Sequence, residues 1–173
     1  MALGVAKIRD ANVYVDGTST HGYASEITLP DIEASMSEYK ALGMVGTKEL
    51  FQGFGKMEAE IKWNAPSAEI LKACADPRKA VTLTVRTSRE VYENGTVTGQ
   101  QPVIYTLKSV SKNFNAGTFK PKDDTETSTK FAVSKFKMVQ NGVEIYELDV
   151  DNNIFKIGGV DQLAKYRSNL GIE

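Results

Sequence analysis

A strict two-residue alternation runs through Lys56-Met-Glu-Ala-Glu-Ile-Lys-Trp-Asn64, where every second residue is apolar. Successive side chains of a β-strand point to opposite faces of a sheet, so this period predicts a half-buried strand. Its apolar side chains face a core, and its polar side chains, Glu58 and Glu60 among them, lie on the other face.

The same alternation recurs on both sides of this strand. In residues 31–39 the apolar positions alternate with polar ones, which are Asp31, Glu33, Ser35 and Ser37. Further strands are predicted near residues 12–16, 23–29, 81–86, 102–110, 131–139 and 143–150, with two-residue hairpin turns at Asn94-Gly95 and Asn141-Gly142. Short helices are predicted at residues 66–75 and 161–169. Roughly eight strands with these turn signals favour a mainly β fold, an antiparallel sandwich or barrel with one or two short helices, in a single domain over residues 1–173.

Composition excludes several classes of protein. The chain has 173 residues, 25% of them charged, and a net charge of −1. Its basic residues are interleaved with acids, which argues against tight binding to nucleic acid. No apolar run approaches the roughly 18 residues of a membrane helix, and the first ten residues do not resemble a signal peptide. A single cysteine excludes an intramolecular disulfide, so we expect a protein that folds in a cytoplasm.

Residues that could carry chemistry stand alone. His21 lies in a predicted turn, and Cys74 lies on the apolar face of the first predicted helix without a histidine at a recognisable spacing. Asp149-Val-Asp-Asn-Asn153 begins like a calcium loop, but Ile154 and Val160 stand where such a loop needs glycine and glutamate. We therefore expect no catalytic residue, no metal site and no cofactor.

Several short blocks of the sequence form a pattern, in which an acidic strand is followed by a short glycine-containing motif, an arginine and a final leucine-glycine pair. These blocks are Gly142-Val-Glu-Ile-Tyr-Glu-Leu-Asp149, Gly159-Val-Asp-Gln-Leu163, Arg167 and Leu170-Gly171-Ile172; upstream, Thr28-Leu-Pro30, Glu38-Tyr39 and Gly43-Met44 belong to the same pattern. The pattern resembles that of the major tail tube proteins of contractile-tailed phages and R-type tailocins. The chain ends Leu-Gly-Ile-Glu where the family has Leu-Gly-Leu, and residues 66–120 carry little of the pattern.

This resemblance implies a phage tail-tube fold whose subunits form a homohexameric ring with one continuous barrel around a lumen. Rings would stack into the inner tube of a contractile tail, a virion or tailocin component assembled in the host bacterial cytoplasm. The implied partners are further copies of the chain and the sheath, tape measure and baseplate proteins. DNA would pass through without tight binding, and no part of the chain would insert into a membrane.

Three groups of residues are the candidate assembly sites. Residues 40–55 lack a steady period, contain four glycines and are interpreted as a long loop that contacts neighbouring subunits within and between rings. A lid over the subunit's own core is the alternative for this loop. Its apolar members are Leu42, Met44, Val45, Leu50, Phe51 and Phe54.

The polar faces of the two amphipathic strands are candidates for the lumen, with an outer solvated face as the alternative. Their residues are Asp31, Glu33, Ser35, Ser37, Glu58 and Glu60. Val160, Leu163, Tyr166 and Leu170 follow one helical face and are expected to dock on the subunit or on a neighbour.

Three other functions remain open at this point. A type VI secretion tube would share the fold and would differ in its gene neighbourhood. An enzyme on a β-barrel would need a cluster of perturbed titratable groups in a pocket. A monomeric ligand-binding barrel would stay monomeric at high concentration.

Overall fold

Antiparallel strands make up most of residues 4–172, which are the residues that the computed structural model describes. The ends of the predicted domain, residues 1–3 and 173, lie outside this range. The strands are β1 (Val5–Val15), β2 (Thr18–Ser19), β3 (Ala24–Thr28), β4 (Ala34–Tyr39), β5 (Lys48–Phe54), β6 (Met57–Trp63), β7 (Ala80–Glu93), β8 (Thr96–Asn115), β9 (Thr127–Gln140), β10 (Val143–Asp149), β11 (Ile154–Ile157) and β12 (Val160–Asp161), and the helices are α1 (Ala68–Ala75) and α2 (Ala164–Asn169). The predicted mainly β fold with two short helices is confirmed, although twelve strands replace the predicted eight.

The long strand β9 joins the two arms of a ten-stranded sheet. One edge of β9 pairs with β8, and its other edge pairs with β6 in the first half and with β10 in the second half. The sheet runs β12-β11-β10-β9-β8-β7-β1-β2, with β3 attached through β6. The strands β4 and β5 pair only with each other and form a separate two-stranded sheet.

The predicted alternation of residues 56–64 is present in β6. Met57, Ala59, Ile61 and Trp63 are buried, and the residues between them are half-buried. Trp63 has no exposed surface, and its indole Nε1 donates a hydrogen bond of 3.1 Å to Oγ1 of Thr129 on β9. The core continues across β1, β7, β8, β9 and α1. Each large apolar side chain buried there contributes about 1.5–3 kcal/mol relative to its exposed state.

Both predicted hairpin turns are confirmed by their backbone angles. Asn94 and Gly95 have φ values of 50° and 80°, and Asn141 and Gly142 have values of 49° and 78°. Positive φ at both central positions is what a two-residue turn needs to match the twist of its strands. These turns fix the β7–β8 and β9–β10 hairpins, which form the centre of the sheet.

The two helices differ in their N-terminal capping, since α1 has a side-chain cap and α2 has none. Ser67 caps α1 by accepting a hydrogen bond from the backbone N–H of Ile70, and Asp76 before Pro77 ends the helix. Helix α2 is shorter than predicted because Val160 and Asp161 form the short strand β12 instead of a first turn.

Candidate assembly surfaces

A hairpin replaces the predicted loop at residues 40–55. Only residues 40–47 connect β4 to β5, and Lys48–Phe54 form a strand, so the prediction of a loop over the whole segment is wrong. The segment has no clean period because a β-bulge between Ser35 and Met36 shifts the register and because the hairpin is exposed on both faces. A two-stranded hairpin with so little burial is marginally stable by itself.

The six apolar residues predicted in this segment occupy two environments. Leu42 and Val45 in the connecting turn are fully exposed, and Met44, Leu50 and Phe51 are also exposed. Phe54 is half-buried and packs edge-to-face on Phe155 of β11 at a centroid distance of 4.9 Å. The base of the hairpin is therefore attached to the core, whereas its outer part contacts little of its own subunit.

An apolar groove of about 390 Å³ separates the hairpin from the C-terminal elements. We call it the C-terminal groove and define it by Phe51, Phe54, Leu148, Ile154, Leu163 and Tyr166. Asp149 is the one charged residue among those that line it. Its lining residues come from β5, β10, β11 and α2 and from the segments beside them.

The C-terminal residues predicted to dock are mostly exposed in the subunit. Val160, Tyr166 and Leu170 have at least half of their surface exposed, and Leu163 is half-buried in the groove. No residue of α2 is buried. Docking of this stripe on the subunit's own barrel is therefore limited to Leu163, and docking on a neighbouring subunit stays a prediction.

A polar clamp holds α2 in place. Nη2 of Arg167 lies 2.6 Å from Oδ2 of Asp161, and its Nη1 donates a hydrogen bond of 2.9 Å to the carbonyl oxygen of Asn153. The hydrogen bond from Arg167 lowers the pKa of Asp161. Both Asp161 and Arg167 occur in the sequence pattern that resembles tail tube proteins, but their pairing needs the turn between β12 and α2.

The six lumen candidates lie on two sheets. Asp31 and Glu33 precede β4, Ser35 and Ser37 belong to β4, and Glu58 and Glu60 belong to β6 in the large sheet. Asp31, Glu33 and Ser35 are exposed, and the other three are half-buried. The backbone N–H of Gly55, just before β6, donates a hydrogen bond of 2.8 Å to the carbonyl oxygen of Glu33, so the two sheets meet near this residue.

Lysines neutralise the acidic charge of Glu58. Lys112 hydrogen-bonds to its carboxylate and Lys56 lies 3.2 Å away, and the hydrogen bond from Lys112 is the main cause of the lowered pKa of Glu58. Glu60 pairs in register with Lys130. This part of the face is therefore close to neutral.

A buried carboxylate, missed in the sequence, lies on the outer face of β9, β10 and β11. Glu147 is 4% exposed, with Nζ of Lys135 2.7 Å from Oε1 and Nζ of Lys156 3.2 Å from Oε2. Burial alone would raise the pKa of Glu147, but the hydrogen bonds and charges of these lysines outweigh it and lower the pKa to about 2. The cluster ties three strands together through their polar face.

The remaining chemical candidates are isolated. Cys74 is buried in α1, and burial raises its pKa to about 11. His21 lies in an exposed turn. Within residues 4–172, no group of three potential metal ligands occurs. No helix in that range is long and apolar enough to cross a membrane.

One edge of β1 has no strand partner over most of its length. The strand pairs with β7 from Val5 to Val15, but on its other edge it pairs with β2 only at Tyr14 and Val15. Val5 and Ile8 on this strand are exposed as well. Among the described residues, the free backbone groups and the apolar side chains thus coincide, and such an edge readily pairs with another chain.

Comparison with known proteins gives a consistent result. The profile of the family described as phage tail tube protein FII matches residues 5–171. The tail tube protein of Escherichia phage P2 is 26% identical over 170 residues, which cover 96% of this chain and 97% of that protein. Among solved structures, a chain in the sheath-tube complex of the PVC extracellular contractile injection system, in its extended state, has a TM-score of 0.58 at 10% identity and covers 75% of this chain and 87% of its own length. A chain in the sheath/tube terminator of the same system has a TM-score of 0.54 at 8% identity, covering 75% and 92%.

Proposed function

The chain belongs to the family of phage tail tube proteins of the FII type, and from this membership we propose that six copies form a ring and that such rings stack into the hollow inner tube of a contractile tail. The family is one of structural proteins, and the chain is a structural subunit of a tail tube. The match to a phage family favours a phage or tailocin tail over a type VI secretion tube.

The observation that carries the ring proposal is the free edge of β1. Among the described residues, 5–12 have no strand partner along one edge, and Val5 and Ile8 are exposed beside it. A closed ring can remove such an edge because each subunit pairs it with a neighbour. A monomeric ligand-binding barrel would instead have to keep this edge in solvent.

We assign the assembly contacts to the surfaces described above. The outer part of the β4–β5 hairpin, with Leu42, Met44, Val45, Leu50 and Phe51, contacts neighbouring subunits within and between rings. Phe54 supports that hairpin from the core. The exposed stripe of Val160, Tyr166 and Leu170 docks on a neighbour, while Leu163 is already half-buried in the groove.

The lumen assignment rests on the polar faces of β4 and β6. We propose that Asp31, Glu33, Ser35 and Ser37 line the channel together with Glu58 and Glu60 once rings form. A conduit for DNA should not bind phosphate, because each neutralising contact adds affinity that must be lost during movement. The acidic and serine side chains at and before β4 meet that requirement, whereas on β6 neighbouring lysines leave the face close to neutral.

The same proposal names the partners. The relatives of known structure belong to a sheath-tube complex and to a sheath/tube terminator, and we propose that a sheath surrounds the tube of this protein as well. A baseplate at one end and a tape measure inside the tube complete the set. Assembly would take place in the host cytoplasm, without a cofactor, and the finished tube would be part of a virion or tailocin.

Purified protein tests the proposal directly. In a buffer containing a chelator, electron microscopy should reveal hollow tubes or rings, and native mass measurement should give six subunits per ring. A monomer that stays monomeric at high concentration, with no rings in micrographs, contradicts the proposal.

A second measurement tests the lumen assignment. Cysteine introduced at Glu33 or Ser35 should react in assembled tubes with a small maleimide but slowly with a bulky one, since only the small reagent diffuses along a narrow channel. Equal reaction with both reagents would place these residues on the outside. Tight binding of duplex DNA to the tube interior at physiological salt would contradict the proposed passage of DNA.

A further inference from the structure

One residue inside the strand with the free edge, β1, has an unusual backbone conformation. Within residues 4–172, six residues other than glycine have a positive φ, and five of them lie in turns. The sixth, Asp10, lies within β1 and has a φ of 49°. Aspartate is one of the few residues besides glycine that adopt this left-handed conformation, which a regular strand does not contain.

Asp10 is the extra residue of a β-bulge. Arg9 lies opposite Ser88 of β7 and Ala11 lies opposite Thr87, so Asp10 has no partner of its own on β7. Successive side chains of a strand alternate between the two faces of the sheet, and one extra residue exchanges the faces of all residues on one side of it. The bulge therefore decides which face each residue in the first half of β1 occupies.

With the bulge, the first half of β1 places its cations beside an acid. Lys7 lies directly opposite Glu90 on the polar face of the sheet, and Ile8 lies opposite Arg89 on the other face. Arg9 shares the face of Lys7, and its Nε lies 3.6 Å from Oε2 of Glu90. Opposite charges on facing strands attract each other, so these contacts stabilise the bulged register.

Without the bulge, the same sequence would pair less favourably. If the register of the second half of β1 continued, Arg9 would lie opposite Arg89, and Ile8 would lie opposite Glu90. Like charges that lie directly opposite each other destabilise a strand pair. The backbone of Asp10 and the charges around it therefore select the same arrangement.

The bulge lies where it affects an edge more than the core. Residues 5–9 are all exposed, and the buried part of β1 begins only at Val13. Bulges are common at sheet edges, where they re-aim side chains. The position of Asp10 thus favours a role in what the edge presents to a partner over a role in folding.

This edge is the one that the proposed ring would use. Among the described residues, 5–12 have no strand partner on it. A neighbouring strand pairs well only when its backbone groups and side-chain faces match those of the edge, and the bulge sets both for the first half of β1. Building on the function proposed above, we infer that Asp10 is a positioning residue for ring closure, since its bulge presents residues 5–9 in the arrangement with which a second copy of this chain pairs.

Pairs of cysteines test the register in dilute subunits. Ile8→Cys with Arg89→Cys should form an intramolecular disulfide after mild oxidation, whereas Arg9→Cys with Arg89→Cys should not, because only position 8 lies opposite position 89. Adding Asp10→Val should reverse this preference, since a β-branched residue disfavours positive φ and a straight strand brings position 9 opposite position 89. The native Cys74 is 1% exposed and can stay in place. Equal yields from both pairs, or a preference that Asp10→Val leaves unchanged, overturn the inference.

Three changes at position 10 then test assembly. Asp10→Val should raise the critical concentration for ring formation, measured by sedimentation, at least tenfold, because residues 5–9 exchange faces. Its urea denaturation midpoint should change little, since these residues are exposed. Asp10→Gly accepts positive φ and is the matched control, which should form rings like the unchanged protein. Deletion of Asp10 removes the bulge but leaves Arg9 opposite Ser88, so it should recover most of the ring formation that Asp10→Val loses.

The outcomes separate this inference from the proposed function. Absence of rings in the unchanged protein contradicts the proposed function itself. If the unchanged protein forms rings, the inference is overturned when Asp10→Val forms them equally well, or when Asp10→Gly or the deletion loses them as completely as Asp10→Val. An Asp10→Val subunit that fails to fold, as measured by the fluorescence of Trp63, also overturns it, because the bulge would then serve the fold.

Discussion

Replacing Glu147 with glutamine should reduce the acid dependence of the subunit's stability. The carboxylate is 4% exposed and binds Lys135 at 2.7 Å and Lys156 at 3.2 Å. Its pKa falls from the ordinary value of 4.5 to about 2, although burial alone would raise it, because the neighbouring lysines stabilise the charged form more strongly. Glutamine keeps the shape of the side chain and removes the charge.

The sign and the size of the effect follow from the pKa. A carboxyl group whose pKa is lower in the folded state stabilises that state above its unfolded pKa, and this stabilisation is lost as the pH falls towards the folded pKa. For Glu147 the loss therefore occurs between about pH 5 and pH 2. The difference in pKa corresponds to about 3 kcal/mol, which is an upper limit because the lysines are about one-third exposed and solvent screens them. Glu147→Gln should lower the free energy of unfolding by about 2–3 kcal/mol at neutral pH.

Urea denaturation of dilute, monomeric subunits, followed by the fluorescence of the buried Trp63, measures this effect at several pH values. Glu58→Gln is the matched control, since Glu58 also contacts two lysines but its side chain is 38% exposed. The control should keep nearly the same denaturation midpoint and the same pH dependence as the unchanged protein. If Glu147→Gln loses stability in parallel with the unchanged protein as the pH falls from about 5 to 3, Glu147 is not the group responsible.

Three further substitutions or modifications probe the subunit core. Cys74, with its pKa raised to about 11 by burial, should react with thiol reagents only after unfolding, and fast labelling of native protein would contradict its placement. Gly117→Ala should destabilise the fold more than Gly95→Ala. Both glycines have positive φ, but only at Gly117 would a Cβ lie 2.7 Å from a backbone carbonyl oxygen. Equal denaturation midpoints of the two variants would contradict this. Thr129→Val should lower the free energy of unfolding, measured by urea denaturation, by about 1–3 kcal/mol, because the buried indole N–H of Trp63 loses its acceptor. An unchanged denaturation midpoint would mean that this hydrogen bond does not stabilise the fold.

The large sheet could be predicted from the sequence because its strands bury one face. In β6 the core takes every second residue, so the period in the sequence equals the period of burial. The turns Asn94-Gly95 and Asn141-Gly142 could be predicted because few residues accept positive φ at both positions. The strands predicted at residues 81–86 and 102–110 are shorter than β7 and β8. Both observed strands extend to the turn at Asn94-Gly95, where polar residues on both faces remove the alternation.

The cluster of Glu147 with its lysines could not be predicted because a bulge changes the register of the β9–β10 hairpin. If β9 and β10 paired without a bulge from the turn at Asn141-Gly142 onwards, Glu147 would lie opposite Phe136, on the face of the sheet that packs in the core. The irregularity between Glu144 and Tyr146 moves Glu147 opposite Lys137 and turns it to the polar face. The sequence contained one signal, since a charged residue opposite a core phenylalanine is inconsistent with a buried face.

Strand β5 of the β4–β5 hairpin escaped prediction for a different reason, whereas the alternation of residues 31–39 predicts β4. Most of β5 is exposed in the subunit, so no buried face imposes a two-residue period on its sequence. An exposed hairpin with free edges also risks pairing with the same hairpin of another subunit. The opposed Glu38 and Glu49 work against such symmetric stacking of the face that carries them, because acids would meet acids. The same two carboxylates thus weaken the isolated hairpin and disfavour its symmetric pairing with a second copy.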